Sequence, residues 1–274
     1  MLDGRSSLPG IVFGTFNMEN SAFSSVHTGA VRGGGVTPTN IVSLLSDARA
    51  RSARLVVKLC NGRDSFVKND DGTFSFTKWK ALIDGYRLVN LGPFINDGTL
   101  IGHYLIDEPH MTAKWGGKVI PQATIEAMAQ YSKQIWPSMT TFVRTTPTWL
   151  ESSSVTYTHL DAGWAQYQSG KGDAATWIVA EVAAAKRKGL GLAVGLNVLD
   201  GGNGSSRIAG WSNGKYAMSA GEIRSYGGAL LGQTHACAFF MWMYDAPYYG
   251  RSDVKSAMTE ISAKARSHAK TSCR

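Results

Sequence analysis

The chain predicts an α/β fold, a single-domain (β/α)8 TIM-like barrel over residues 1–274 with room for one degenerate strand. Three observations lead there. Short apolar runs alternate with helical periodicity from end to end with no linker between halves, the pattern of parallel strands joined by helical crossovers. No run is followed by GxGxxG or a P-loop sequence, the phosphate-binding signatures of many open, doubly wound sheets. Nearly every run ends in polar or aromatic residues, as expected when all strand ends line one mouth. Seven strands can be counted, near residues 11, 55, 101, 141, 158, 191 and 237. A doubly wound sheet fits that count as well, and the second and third observations favour the barrel.

Ile11–Phe16 reads as the first strand, with Asn17 and Glu19 at its exit, and the Gly, Ser and Thr-rich residues 20 to 38 read as a long loop. Ile41, Leu44, Leu45 and Ala48 mark the buried face of a helix. Leu55–Cys60 is the next strand, where Lys58 either points into a polar mouth or snorkels from an edge. Trp79, Leu82, Ile83 and Tyr86 give a second helix, after which residues 100 to 107 form a strand ending in Asp107 and Glu108. Pro121 opens a helix that Pro137 closes, and Thr141–Thr145 is a strand ending at Pro147. Residues 158 to 167 are ambiguous; a short strand through Leu160 is expected, with Asp161, Trp164 and Gln166 beyond it. Asp173 caps a helix that ends at Gly189, and Leu190–Asn197 is a strand leaving into a Gly-rich loop. Ser219 and Glu222 form a capping box for the next helix. Cys237–Tyr244 is the last and most aromatic strand, and Ser252 opens a final helix whose tail to Arg274 is expected to fray.

Composition narrows the classes. With 43% hydrophobic and 18% charged residues the chain is a globular protein rather than a disordered one. No apolar run approaches the ~18–20 residues that span a bilayer, so no membrane partner is expected. The formal net charge is +8. Its densest groups, Arg49, Arg51, Arg54 and Lys186, Arg187, Lys188, fall at predicted helix ends where they complement the helix dipole. No nucleic-acid partner is therefore expected. Cys60, Cys237 and Cys273 show no zinc spacing and permit at most one internal disulfide. A secreted monomer is expected, with a leader removed ahead of Met1, although the cysteines leave the compartment open.

In a barrel, one mouth would gather Asn17, Glu19, Lys58, Asp64, Asp107, Glu108, Arg144, Asp161, Trp164, Gln166, Asn197, Asp200, Trp242, Tyr244 and Asp245. Carboxylates among aromatics suit a carbohydrate, whose ring faces stack on indole while its hydroxyls bond Asn, Gln, Asp and Arg. Glycosidic cleavage needs two carboxyl groups, one an acid and one a nucleophile or water-activating base. Asp107 beside Glu108 would push the glutamate pKa up by like charge. Bland roles stand beside these: Glu108 could cap a segment or pair with Arg144, Asp161 could be structural, and Trp242 could be packing. His103, His110 and His159 with Asp107 offer a metal-dependent alternative, but no HxH or HExxH spacing supports it. No metal or cofactor is expected.

Tyr104-Leu-Ile-Asp-Glu-Pro109 resembles the Asp-Glu-Pro or Asn-Glu-Pro strand end of (β/α)8-barrel glycoside hydrolases, and Phe240-Met-Trp-Met-Tyr244 is similar to their final strand. The resemblance implies Glu108 as general acid/base on the fourth strand, Trp242 as the floor of a sugar subsite, and one uncounted strand before residue 100. It also implies a nucleophile, usually Glu, at the end of the seventh strand. This chain has Asn197 there and then Asp200. Either Asp200 substitutes, or Asp161, Asp245 or Glu19 is the partner, with an inverting mechanism if the spacing is wide. The same departure fits a carbohydrate-binding barrel without turnover.

Overall fold

Val12, Val31, Val56, Tyr104, Phe142, Ala162, Ala193 and Ala238 each lie on an inward-facing position of a different strand, and together with Phe16, Trp164 and Phe240 they fill the interior of a closed barrel. The computed structural model describes residues 9–269 and Cys273; the N-terminal leader reading and most of the expected frayed tail lie outside the described residues. Its strands are β1 (Val12–Phe16), β2 (Gly29–Arg32), β3 (Arg54–Val57), β4 (Leu100–Asp107), β5 (Thr140–Arg144), β6 (Ala162–Tyr167), β7 (Gly191–Leu196) and β8 (Ala236–Met241). They pair in sequence order, all parallel, and β8 closes on β1. Side chains alternate across a strand, so the opposite set faces outward. The helices α1 (Ile41–Ala50), α2 (Phe76–Asp84), α3 (Gly92–Asn96), α4 (Gln122–Ile135), α5 (Pro147–Glu151), α6 (Ala174–Arg187), α7 (Ala220–Leu231), α8 (Ala246–Gly250) and α9 (Ser252–Ser267) cover that outer face.

The interior mixes large and small residues so that the rings fit. Trp164 stacks on Phe16 at 4.6 Å between centroids and meets Tyr104 and Phe240 edge-on at 6.0 and 5.6 Å. Ala162, Ala193 and Ala238 leave the room these rings occupy. Gly195 is required where β7 and β8 approach, because a Cβ there would lie 1.7 Å from the Phe240 carbonyl oxygen. On the outer face, buried Trp79 of α2 donates its indole N–H to the Leu105 carbonyl at 3.1 Å, which fixes the helix against β4. Helix starts follow their sequence signals. Asp173 accepts from the Thr176 N–H at 2.7 Å, and the Ser219–Glu222 capping box forms in full.

Two expectations need correction. The long loop of residues 20 to 38 contains β2, the strand the count missed. Gly29–Arg32 has only four residues and weak strand composition, but β1 and β3 each offer it a row of unpaired backbone groups, and pairing both sides outweighs local preference. The strand expected through Leu160 instead begins at Ala162 and runs through Gln166 to Tyr167. That shift moves Asp161 from a strand exit to a strand entrance.

The tail is pinned at one point by a Cys237–Cys273 disulfide spanning 36 positions, which leaves buried Cys60 as the free thiol. Cys273 packs against the interior cluster at the entrance side, beside Gly191 of β7. Closing a loop of that size is expected to stabilise the fold by about 2–4 kcal/mol through the unfolded state. Cys273→Ser should therefore melt several degrees below the native protein, and a reductant should lower the native midpoint to the variant's. Identical midpoints in all three samples would show that the bridge contributes nothing.

Candidate active site

Strands β3 to β8 each bring one side chain to the C-terminal mouth: Lys58 after β3, Asp107 at the end of β4, Arg144 ending β5 and Gln166 on β6. Asn197 and Trp242 follow β7 and β8, and an isolated bridge between them carries the pairing one step past both strands. Asp107 is not in phase with Tyr104 by simple alternation. A register shift between them in the β4–β5 pairing turns both to the same side, and the Tyr104 hydroxyl donates to Asp107 at 2.6 Å.

Alternating charges run along the mouth. Lys58 pairs with Asp64, Lys114 pairs with Asp64 at 2.8 Å and with Asp107, and Arg144 donates through Nε to Asp107. Arg144 also reaches Glu108 Oε1 at 2.6 Å and Gln166 Oε1 at 3.1 Å, while Lys114 lies 3.6 Å from Glu108 Oε2. Burial pushes the Asp107 carboxyl up, but Arg144, Lys114 and Lys58 together outweigh it and hold it well below the carboxylate range. Burial likewise works against charge on Lys58 and Arg144; Cys60, Asp64 and Asp107 outweigh it at Lys58, and Asp107, Tyr104 and Glu108 do so at Arg144, so both stay cationic. Arg144 and Lys114 each lie against both Asp107 and Glu108.

Glu108 is the most open of the three acids, its side chain 33% exposed against 21% for Asp107 and 18% for Asp64. Its backbone adopts φ +47°, the left-handed region that costs a non-glycine residue about 1–2 kcal/mol. Three hydrogen bonds hold it there: its N–H donates to the Arg144 carbonyl at 3.0 Å, and its carbonyl accepts from Met111 N–H at 3.0 Å and from Trp115 Nε1 at 3.0 Å. Pro109 follows and stiffens the exit.

The other sequence candidates separate. Asp161 stands at the entrance of β6, at the opposite end of the barrel, where it accepts from Thr141 N–H at 2.8 Å and pairs with Lys133. Asp200 lies beyond β7, but its carboxylate accepts from Ser212 N–H at 2.9 Å and Oγ at 2.7 Å and shapes the loop before α7. Asp245 caps α8 through Tyr248 N–H at 2.8 Å. Glu19 is exposed on the loop after β1, and exposed Asn17 accepts from Gly33 N–H at 3.3 Å. Trp164 is only 2% exposed, so it belongs to the barrel filling rather than to an open platform. Half-buried Tyr244 lies against Tyr249. His103 bonds Ser132 within the helical layer, His110 bonds Thr145, and His159 bonds Glu126; among the described residues no three such groups gather as metal ligands.

Two mouth residues escaped sequence reasoning. Lys114 sits in an unremarkable polar loop, six residues after Glu108, and nothing local marks it. Trp211 could have been found, since a tryptophan in the Gly-rich loop of residues 200 to 214 has little to pack on. It is 54% exposed and meets Trp242 edge-on at 5.7 Å, so the pair forms an aromatic wall beside the mouth.

The sequence matches no protein-family model and no curated protein. Solved structures do share the architecture. A GH18 chitinase from Pseudoalteromonas aurantia superposes with a TM-score of 0.53 at 11% identity, covering 89% of this chain and 98% of that one. A GH113 beta-1,4-mannanase gives 0.57 at 11% identity over 95% and 100%. The catalytic domain of the major endoglucanase from Xanthomonas campestris pv. campestris gives 0.54 at 11% identity over 97% and 99%. At such identities the likeness concerns the backbone alone, and it establishes that this chain folds as the closed eight-stranded (β/α) barrel that glycoside hydrolases use.

Proposed function

We propose that the protein is a glycoside hydrolase acting on an oligo- or polysaccharide, with Glu108 as general acid/base and no cofactor. The observation that carries this is Glu108 itself: the most open of the three ion-paired mouth carboxylates, at the exit of β4, held in a left-handed conformation by three hydrogen bonds. Backbone strain maintained by its surroundings is a mark of functional sites. Trp242 and Trp211 supply apolar ring faces for a sugar, and Gln166 and Asn197 supply hydrogen bonds. The structural neighbours are named as a chitinase, a beta-1,4-mannanase and an endoglucanase, which supports the substrate class without choosing within it. The disulfide supports secretion into an oxidising compartment.

A second reading, a barrel that binds glycans without cleaving them, is favoured by Asn197 at the end of β7 and by the ion pairing of Asp64, Asp107 and Glu108. Incubation with chitin, mannan, cellulose, xylan and polygalacturonate separates the two. Release of new reducing ends from any one of them is the expected result. Retention on a polysaccharide with no product after long incubation would select the binding barrel, and neither retention nor product on the whole panel would remove both.

A further inference from the structure

The mouth is divided in polarity. Its carboxylates come from the segment after β3 (Asp64) and from the end of β4 and the residue after it (Asp107 and Glu108), whereas the next three strands bring Arg144, Gln166 and, just past β7, Asn197. A side-chain amide carries both an acceptor oxygen and a donor NH2, and its neighbours decide which way each points. Arg144 carries only N–H donors, so Gln166 turns Oε1 toward it, at 3.1 Å, and Nε2 is left buried with no acceptor. The Asp200 backbone N–H donates to Asn197 Oδ1 at 3.1 Å, so the NH2 is the group Asn197 keeps to offer. Trp164, two residues before Gln166 on the same face, adds an indole N–H that is also buried without an acceptor. From β5 to β7 the wall is therefore built of donors.

Buried donors without partners carry an uncompensated desolvation cost that a ligand's acceptor would remove. The protein's own carboxylates are engaged by Lys58, Lys114 and Arg144. A sugar hydroxyl could also accept there, but it offers a single neutral oxygen to several donors. A carboxylate brings two acceptor oxygens and no proton, and the net charge of +8 draws polyanions toward the molecule. We infer that the arc of Arg144, Gln166 and Asn197 receives a substrate carboxylate, so that the glycan taken by this barrel is an acidic, uronate-containing one. This rests on the glycan reading above and names its substrate class.

Titration calorimetry of the full chain carrying Glu108→Gln, to prevent turnover, tests it with trigalacturonate and trimannuronate against cellotriose and mannotriose. At least one uronate trimer should bind tenfold or more tighter than both neutral trimers, and added salt should weaken it. Gln166→Glu and Asn197→Asp, each introduced into that background, replace a donor by an anion of the same shape. Each should lower uronate affinity at least tenfold while the melting midpoint stays within a few degrees. Neutral trimers binding as tightly as the uronates, or uronate affinity unchanged in both variants, overturns the inference and leaves the glycan reading standing. Failure of all four trimers to bind, together with an inactive native protein on the polysaccharide panel, overturns both.

Discussion

Glu108→Gln is expected to lower kcat on the cleaved glycan by about 10^2 to 10^4-fold, the usual contribution of a positioned general acid, while KM changes only a few-fold. The amide is nearly isosteric and keeps an oxygen for the Arg144 guanidinium, which reaches Glu108 Oε1 at 2.6 Å in the native protein. The backbone bonds that hold residue 108 involve its N–H and carbonyl and are untouched by the change. What disappears is the transferable proton. Steady-state kinetics with a chromogenic substrate and with the polymer separates two contributions: a poor leaving group needs the acid more, so the polymer should suffer the larger loss. Full activity in this variant would take the acid role from Glu108. A matched Asp107→Asn change acts on a carboxylate locked between Tyr104, Arg144 and Lys114, and is expected to act mainly on stability.

The site is legible in the sequence where a strand end announces itself and obscure where tertiary pairing decides. Asp107 and Glu108 after an apolar run, and Trp242 in an aromatic one, signal a mouth because charged or bulky groups at a strand exit need one. Lys58 is undecided from sequence, since a lysine in an apolar run can snorkel or point inward; Asp64, six residues on, settles it by folding back to pair with Lys58. β2 is hidden because four residues carry too little periodicity, and its strand state comes from neighbours on both sides. Asp161 is misplaced for a related reason. Residues 158 to 167 offer two registers, and the one that buries Trp164 against Phe16 and sends Gln166 to Arg144 puts Asp161 at the foot of the barrel. Lys114 has no signal of its own, because its role exists only once three carboxylates from two loops surround it.

Arg144→Leu is expected to be the most destabilising single change at the mouth, by about 3–5 kcal/mol at pH 7, because it removes one partner from a buried ionic cluster. The Arg144 side chain is 9% exposed and serves Asp107, Glu108 and Gln166 at once. Leucine fills part of the space but leaves Asp107 with Lys114 and the more distant Lys58 as its cations, and Gln166 Oε1 without its donor. The loss should depend on pH. In the native protein burial raises the Asp107 carboxyl and the cations more than reverse it, so its folded pKa lies below the unfolded value of about 4. A carboxyl depressed in this way stabilises the fold above its unfolded pKa, and that contribution drains away as pH falls toward the folded value. Without Arg144, burial regains weight, the depression shrinks, and there is less stabilisation to lose on acidification. The gap in unfolding free energy between native protein and variant should be widest near pH 7 and should narrow as pH is lowered from about 5 to about 2. Urea titrations at pH 7, 5 and 3 measure it. A gap below about 1 kcal/mol at pH 7, the range of an exposed pair, or one that stays constant down to pH 3, would mean that Lys114 and Lys58 hold Asp107 unaided. Arg144→Lys sharpens the test: it keeps the charge but offers a single ammonium where three acceptors are arranged around a planar fork. It should recover part of the pH dependence while leaving Gln166 or Glu108 unsatisfied.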